Sequence, residues 1–407
     1  MQAGEASLAR RLPVAMAEPR AREVLALLHR RGRLTRAEIA RLTGQSQAAV
    51  SLLVRTLIEA GLVQESLAAP RGLGRPAHHL GIAPGAWSVL SFEVVAGLLR
   101  LAVVAGDGSV LNATEQPLPT GTLGLHALIQ RMLRMAAEAD RGSAGPLLAA
   151  SVSVSGVVHR GVVVLSAGLG LRQAPVAEPL SEELGVPVWL VNDMDARALA
   201  EHRYGVGRGV DHLVLVAVEP SGIGAGIVQQ GRPFAGARGS AGELGHVTVE
   251  RHGLACPCGK RGCLEVYGSE NAIVSRSAHL LRLQRRRRPF VESPTEGFHY
   301  VRRQVEELWA LAAADAGIRR IFEDAMDYLG TAVANLVTLF DPELVIVAGH
   351  LMKLLGPWGM TLLTQRVREG AFDPGAEHRK IVEAALGEDS GMRGAAYLAV
   401  DRMLAGD

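Results

Sequence analysis

Three cysteines, the only ones in the chain, fall within eight positions as Cys256-Pro-Cys258-Gly-Lys-Arg-Gly-Cys263, and His246 stands ten residues upstream of the first. Three thiolates and an imidazole are the ligand set of a closed tetrahedral zinc site. Gly259 and Gly262 permit the tight turn that three ligands from one loop require. His252 is an alternative fourth ligand. A clustered, odd number of cysteines suits disulfides poorly, and the composition points to a reducing compartment, the cytoplasm.

Two further groupings carry chemistry. Val191-Asn192-Asp193-Met-Asp195 ends an apolar strand just before a helix, where a carboxylate can act as general base on a hydroxyl, or where Asn192 or Asp193 can simply cap the helix. Ser221-Gly222-Ile-Gly224-Ala-Gly226 follows another strand. Its glycines can bring backbone amides close to a phosphate, and a tight hairpin would use the same residues. Arg285 to Arg288 form a basic run that reads first as a solvated face.

These groups need a scaffold. From Trp87 onward strand-like runs (88–95, 98–104, 147–154, 186–191, 213–218 and 344–348) alternate with helical ones (123–139, 194–204 and 321–340), an α/β pattern large enough for two lobes. No internal repeat is visible. With 407 residues, 48% of them hydrophobic, the chain can bury more than one core. A formal charge of +2 excludes a polyanion-coating protein, so any nucleic-acid contact must come from a local patch. The first residues lack a signal-peptide apolar core, and no apolar run approaches a membrane span.

The first eighty residues supply such a patch. Val24, Leu27 and Leu28 follow helical spacing; Thr35 and Glu38 predict a capping box opening a second helix; Gly44 turns the chain. Ser46 caps a third helix with Val50, Leu53, Val54 and Leu57 on one face. That is helix-turn-helix spacing, followed by two short strands (62–67 and 77–80) around a tip holding Arg71 and Arg75. Ser46, Gln47, Ala48, Ser51 and Arg55 on the third helix, with Arg71 and Arg75 on the wing, are the candidate DNA contacts.

Gly242-Glu243-Leu-Gly-His246 followed by the cysteine loop and Leu264-Glu265 resembles the signature of the ROK (repressor, open reading frame, kinase) family, and the preceding head resembles that of its transcriptional regulators. The resemblance implies a winged helix-turn-helix (1–80) and an actin-like, sugar-kinase body. The first lobe would span 84–205, completed by a C-terminal helix near 390–407, and the second lobe, with the zinc loop, 206–389. It also implies a sugar or sugar phosphate in the cleft, contacted by Asn192, Asp193, Glu243, His246 and Glu265, with structural zinc on His246, Cys256, Cys258 and Cys263. The expected partner is operator DNA, bound by a homodimer or dimer of dimers whose lobes close on the sugar and reorient the heads.

Three departures from the family pattern separate regulator from kinase. Glu93-Val-Val-Ala-Gly97 stands where kinases of the family have Asp-x-Gly-Gly-Thr, and Ala348-Gly349-His350 where they have three glycines. ATP is therefore not expected to bind. Ala167-Gly168-Leu169 replaces a segment that often carries a sugar-binding asparagine. The alternative reading is an ATP-dependent, glucokinase-like sugar kinase with a DNA-binding head, in which Asp193 would be the catalytic base.

Overall fold

The computed structural model describes residues 18–67, 78–119, 124–142, 144–283, 297–372 and 379–406. Arg71, Arg75 and the basic run at 285–288 lie outside the described residues.

The head begins with α1 (Pro19–Arg31), whose first turn is capped by the Glu18 carboxylate accepting from the Ala21 amide at 2.7 Å. Helix α2 (Arg36–Thr43) opens with the full capping box, Thr35 and Glu38 satisfying each other's backbone amides, and ends on Gly44 in the left-handed conformation (φ 68°). Helix α3 (Gln47–Glu59) is capped by the Ser46 hydroxyl and turns Val50, Val54 and Leu57 into the core. Strands β1 (Val63–Leu67) and β2 (His78–Ile82) form the antiparallel base of the wing, with Val63 opposite Ile82 and Leu67 opposite His78.

The body has two five-stranded sheets. In the first lobe β3 (Ser88–Val95), β4 (Leu98–Ala105) and β5 (Val110–Pro117) form an antiparallel meander, then α4 (Leu125–Glu138) leads to β6 (Leu147–Val154). A small three-stranded sheet, β7 (Val157–His159), β8 (Val162–Ser166) and β9 (Leu171–Pro175), and helix α5 (Ala177–Leu184) precede β10 (Val188–Asn192) and α6 (Asp193–Tyr204). The main sheet runs β10-β6-β3-β4-β5, with β6 parallel to both β3 and β10.

The second lobe repeats this plan. Its strands are β11 (His212–Glu219), β12 (Gly222–Gln229), β13 (Arg232–Pro233), β14 (Leu344–Ala348) and β15 (Lys380–Glu383), in the order β15-β14-β11-β12-β13. Both sheets thus run fifth, fourth, first, second, third, a shared strand order that no internal sequence repeat announces. Helices α7 (Glu265–Gly268), α8 (Glu270–Leu283), α9 (Gly297–Leu311), α10 (Ala316–Phe340) and α11 (His350–Gly370, kinked at Gly356-Pro357) complete the lobe. Helix α12 (Ser390–Ala405) crosses back to pack on α6, β6, β3 and α1.

That crossing joins head to body. Val24, Leu25 and Leu28 of α1, Leu62 and Ile82 of the wing, Trp87, Val89, Ala102 and Val104 of the first lobe, and Met392, Ala396, Val400 and Leu404 of α12 form one continuous apolar core. His29 is stacked on Tyr397 with ring centroids 4.4 Å apart, and one ring nitrogen lies 2.9 Å from the Tyr397 carbonyl. Burial pushes its pKa down to about 4, so it is neutral at physiological pH. Arg203, near the end of α6, donates to the Leu28 carbonyl at 3.4 Å, and Tyr204 meets Tyr397 edge-on. Helix α6 therefore starts at the candidate ligand carboxylates and ends against the head.

Candidate ligand, metal and DNA sites

Asn192 caps α6: its side-chain oxygen accepts from the amides of Met194 (2.8 Å) and Asp195 (3.1 Å), and its nitrogen donates to the Gly156 carbonyl (2.9 Å). The capping role anticipated for this asparagine is present, and it fixes Asp193 at the first helical turn. Asp193 is buried, and burial raises its pKa to about 7 against the opposing pull of Arg197, with Glu93 and Glu243 adding to the rise. Asp195 is 5% exposed, and its carboxylate has no hydrogen bond or ion pair among the described residues. Burial and the nearby Glu243 carboxylate raise its pKa to about 7 as well. Asp195 belongs to the Asn192-Asp193-Met-Asp195 grouping but is not among the expected ligand contacts; its burial in the same helical turn as Asp193 is what brings it to the site.

The glycine series does not form a phosphate-cradling loop. Residues 222–229 are strand β12, paired with β11 from Glu219 opposite Gly222 to His212 opposite Gln229. The glycines are needed because α6 lies directly on this strand: a methyl at Gly226 would sit 2.1 Å from the Met194 carbonyl oxygen, and one at Gly224 would sit 2.5 Å from the Met194 side chain. Close packing brings the Asp193 helix against the second lobe.

Glu243 and Glu265 approach from that lobe. The Glu265 carboxylate accepts from the Ile223 amide at 2.9 Å, and its pKa, raised by burial and held back by that amide, comes to about 7. Burial also raises Glu243, which precedes a short 3₁₀ turn (Leu244–His246). Gly245 in that turn leaves no room for a side chain, since a methyl would lie 2.5 Å from the Ile223 carbonyl oxygen. The turn thus ties Glu243 to His246 within one rigid unit.

His246, Cys256, Cys258 and Cys263 bring their ligand atoms within 4.8 Å of one another. His246 Nδ1 lies 3.8 Å from Cys256 Sγ, and Cys258 Sγ lies 3.7 Å from Cys263 Sγ. A tetrahedron with metal–sulfur bonds of about 2.3 Å has sulfur–sulfur edges of about 3.8 Å, so the cluster fits a zinc ion. Burial and the Lys260 charge lower the His246 pKa, keeping the imidazole in its ligating, neutral form. Gly259 and Gly262 adopt φ of 93° and 71°, as the loop requires. His252 is not part of the cluster.

The segment that stands in place of a phosphate loop is a tight turn between β3 and β4, with only Ala96 and Gly97 (φ 84°) outside the strands. Gly168 packs against Ala96, where a methyl would lie 3.1 Å from its Cβ. Glu93 is buried and engaged by Arg100 at 3.1 Å and Arg197 at 3.4 Å. Arg197 also reaches Glu219 of the second lobe at 2.6 Å, and Arg100 reaches Asp389 at 2.8 Å. His350, from the altered Ala348-Gly349-His350 motif, lies between Glu270 and Glu306, each at 3.0 Å. Glu93, Arg100, Arg197, Glu219 and His350 border an interlobe cleft of about 510 Å³. The sequence showed the altered loop but not the arginines that occupy its surroundings, because Arg100 and Arg197 belong to no motif.

On the head, Gln47, Ala48 and Arg55 of α3 are exposed and Ser51 is half-buried, all away from the Val50, Val54, Leu57 stripe. The Ser46 hydroxyl is engaged by the Ala49 amide at 3.2 Å.

The ROK family matches residues 93–402, and winged helix-turn-helix DNA-binding matches residues 18–64. The chain belongs to the ROK family and has the domain arrangement of its transcriptional regulators. It is 27% identical to a putative xylose repressor of Caldicellulosiruptor sp. (strain Rt8B.4), over 91% of this chain and 93% of the relative. A glucokinase of Thermotoga maritima is 29% identical over 74% of this chain and 93% of its own length. Among solved structures, a ROK family transcriptional regulator, homolog of the E. coli Mlc protein, superposes with a TM-score of 0.73 at 25% identity, covering 96% of this chain and 97% of that one. Both regulators are matched over nearly the full chain, head included. No helix among the described residues is long and apolar enough to cross a membrane.

Proposed function

We propose that the protein is a sugar-responsive, DNA-binding transcriptional regulator, a repressor acting on operator DNA as a homodimer or dimer of dimers in the cytoplasm. The observation that carries this reading is the core shared by the winged head, the first lobe and α12, which makes the head an integral part of a sugar-kinase-like body. Asn192, Asp193, Glu243, His246 and Glu265 are the proposed contacts for the hydroxyls of a sugar or sugar phosphate. Lobe closure on that ligand would move the first lobe and its head together, changing the separation of two heads in a dimer and hence their fit to paired half-sites. Zinc on His246, Cys256, Cys258 and Cys263 would be structural, closing the loop that carries two sugar contacts. Ser46, Gln47, Ala48, Ser51, Arg55, Arg71 and Arg75 are the proposed DNA contacts, with the wing arginines contributing through phosphates.

ATP is not proposed as a ligand, because Glu93 is tied to Arg100 and Arg197 and the turn after it offers one glycine. The kinase reading draws support from one feature: a pKa of about 7 suits Asp193 to general-base work. The deciding experiment is operator binding titrated with a sugar panel for the wild type and Glu243→Ala, run beside ADP detection with the same sugars and ATP. The expected result is a sugar response in the wild type, its loss in Glu243→Ala with operator affinity retained, and no turnover. ADP production abolished by Asp193→Asn would make the protein a kinase.

A further inference from the structure

Helix α3 carries a large apolar side chain where its amphipathic pattern calls for a polar one. Leu52 is 65% exposed and takes no part in the core formed by Val50, Val54 and Leu57. It lies one helical turn after exposed Ala48 and beside exposed Arg55, so a leucine and a methyl line the centre of the outward face. The hydroxyl of Thr56 is turned back onto the Leu52 carbonyl at 3.3 Å and adds little polarity there. This stripe belongs to the third helix of a winged helix-turn-helix, the element that enters the major groove.

Among groups projecting into that groove, base edges and phosphates offer donors and acceptors, whereas the C5 methyl of thymine is apolar. We infer that Leu52, with Ala48, is a specificity-determining contact that reads thymine methyl groups in the major groove, so that each half-site contains a thymine facing the middle of α3. The inference rests on the DNA-binding reading and deepens it. It gives a polar-poor recognition helix a way to discriminate bases: burying a methyl against leucine distinguishes thymine from cytosine without a hydrogen bond.

The test begins with duplexes selected from a random pool by the full-length wild type. Binding of the selected duplex is then compared with one in which deoxyuridine replaces thymidine at the half-site positions, for the wild type, Leu52→Ala and Leu52→Gln. Deoxyuridine keeps base pairing and removes only the methyl. The wild type should bind the deoxyuridine duplex about fourfold more weakly per methyl that Leu52 covers. Leu52→Ala should bind the thymidine duplex correspondingly more weakly and lose little more on the deoxyuridine duplex. Equal deoxyuridine penalties in wild type and both variants, or no penalty in the wild type, overturn the inference while leaving DNA binding in place. Unchanged operator binding in both variants also overturns it and assigns Leu52 to another surface, such as a second copy of the chain. Failure to select any duplex removes the DNA-binding reading itself. Because Leu52 is exposed, both variants should retain the wild-type melting temperature.

Discussion

The joint between head and body is mainly apolar, with the Arg30–Asp401 ion pair at its margin, whereas the cleft between the lobes is crossed by charges. At the joint, α1, the wing, β3, β4 and α12 share an apolar core, and its one buried imidazole is neutral. At the cleft, Glu93, Arg100, Arg197, Glu219 and Asp389 connect the elements through charges. An apolar core has one close-packed arrangement and resists sliding, whereas a largely buried arginine with two opposite-charge neighbours, as Arg197 has in Glu93 and Glu219, can redistribute its contacts between them as the lobes move. The difference assigns rigidity to the joint and adjustment to the cleft. A ligand that alters lobe separation would therefore carry the head with the first lobe.

The largest expected effect comes from breaking the joint. Val400→Asp places a carboxylate in the shared core and should cost about 3–5 kcal/mol, through burial of an unpaired charge. Thermal unfolding followed by far-UV circular dichroism should show head and first lobe melting together at a lower temperature. A head that melts separately while the body is unaffected would mean that the joint is not a single cooperative unit.

Arg197→Met tests the cleft. It leaves Glu93 without one partner and Glu219 without its cross-lobe partner, and a loss of about 3 kcal/mol is expected in urea unfolding, less where water enters the cleft. Adding Glu93→Gln should restore part of the loss by removing one uncompensated charge. If the single and double variants are equally stable, the arginine is not compensating Glu93.

Zinc on the proposed His246, Cys256, Cys258 and Cys263 site would separate the two regions in another way. Cys258→Ser should reduce zinc content from about one per chain and lower stability by several kcal/mol. Because the loop belongs to the second lobe, amide exchange in α1 and α12 should change less than in β12 and α7. Full zinc content in a variant lacking all three cysteines would remove the metal assignment.

Smaller effects should appear as pH dependences of opposite sign. Asp195 has a folded pKa raised to about 7, so the folded state holds a proton that the unfolded chain releases above about pH 4. Its contribution to stability therefore falls as pH rises from about 4 to about 7 and stays low above that. Asp195→Asn should be more stable than the wild type at pH 8, on the order of 2 kcal/mol, and close to it at pH 4. His29 has a folded pKa lowered to about 4, so below its unfolded value of about 6.5 the unfolded chain binds a proton that the folded one excludes. Joint stability should fall as pH drops from 6.5 toward 4, by an amount on the order of 1–2 kcal/mol, and His29→Phe should flatten that slope. A slope unchanged in His29→Phe would place the titrating group elsewhere.

Much of the site chemistry was legible from local spacing. The Thr35–Glu38 capping box, the Ser46 cap and the Gly44 turn follow from rules that act within four residues, and all are present. The cysteine loop was readable for the same reason: three ligands come from one turn, and its glycines take the positive φ that their positions implied. Reading failed where meaning depended on distant neighbours. Of the two structures that the glycines at 222–226 allow, a phosphate loop and a hairpin, the hairpin is present, and what demands glycine is Met194 some thirty residues earlier, through its side chain at Gly224 and its carbonyl at Gly226. Asp195 is visible as part of the Asn192-Asp193-Met-Asp195 grouping, but an aspartate in a first helical turn is ordinary until the turn is buried, so its burial was not legible.

The sequence by itself determined the identity of the chemical groups and their short-range geometry: a three-thiolate, one-imidazole loop, a capped helix behind Asn192, and a helix-turn-helix with its wing strands. Such features are encoded by periodicity and by hydrogen bonds between near neighbours. Only the tertiary structure decided that Arg197 would stand between Glu93 and Glu219, that the C-terminal helix expected to complete the first lobe would also seal the head onto it, and that the two sheets would share one strand order. Each depends on contacts between residues tens to hundreds of positions apart, where the apolar pattern says that a face must be buried but not which surface will bury it.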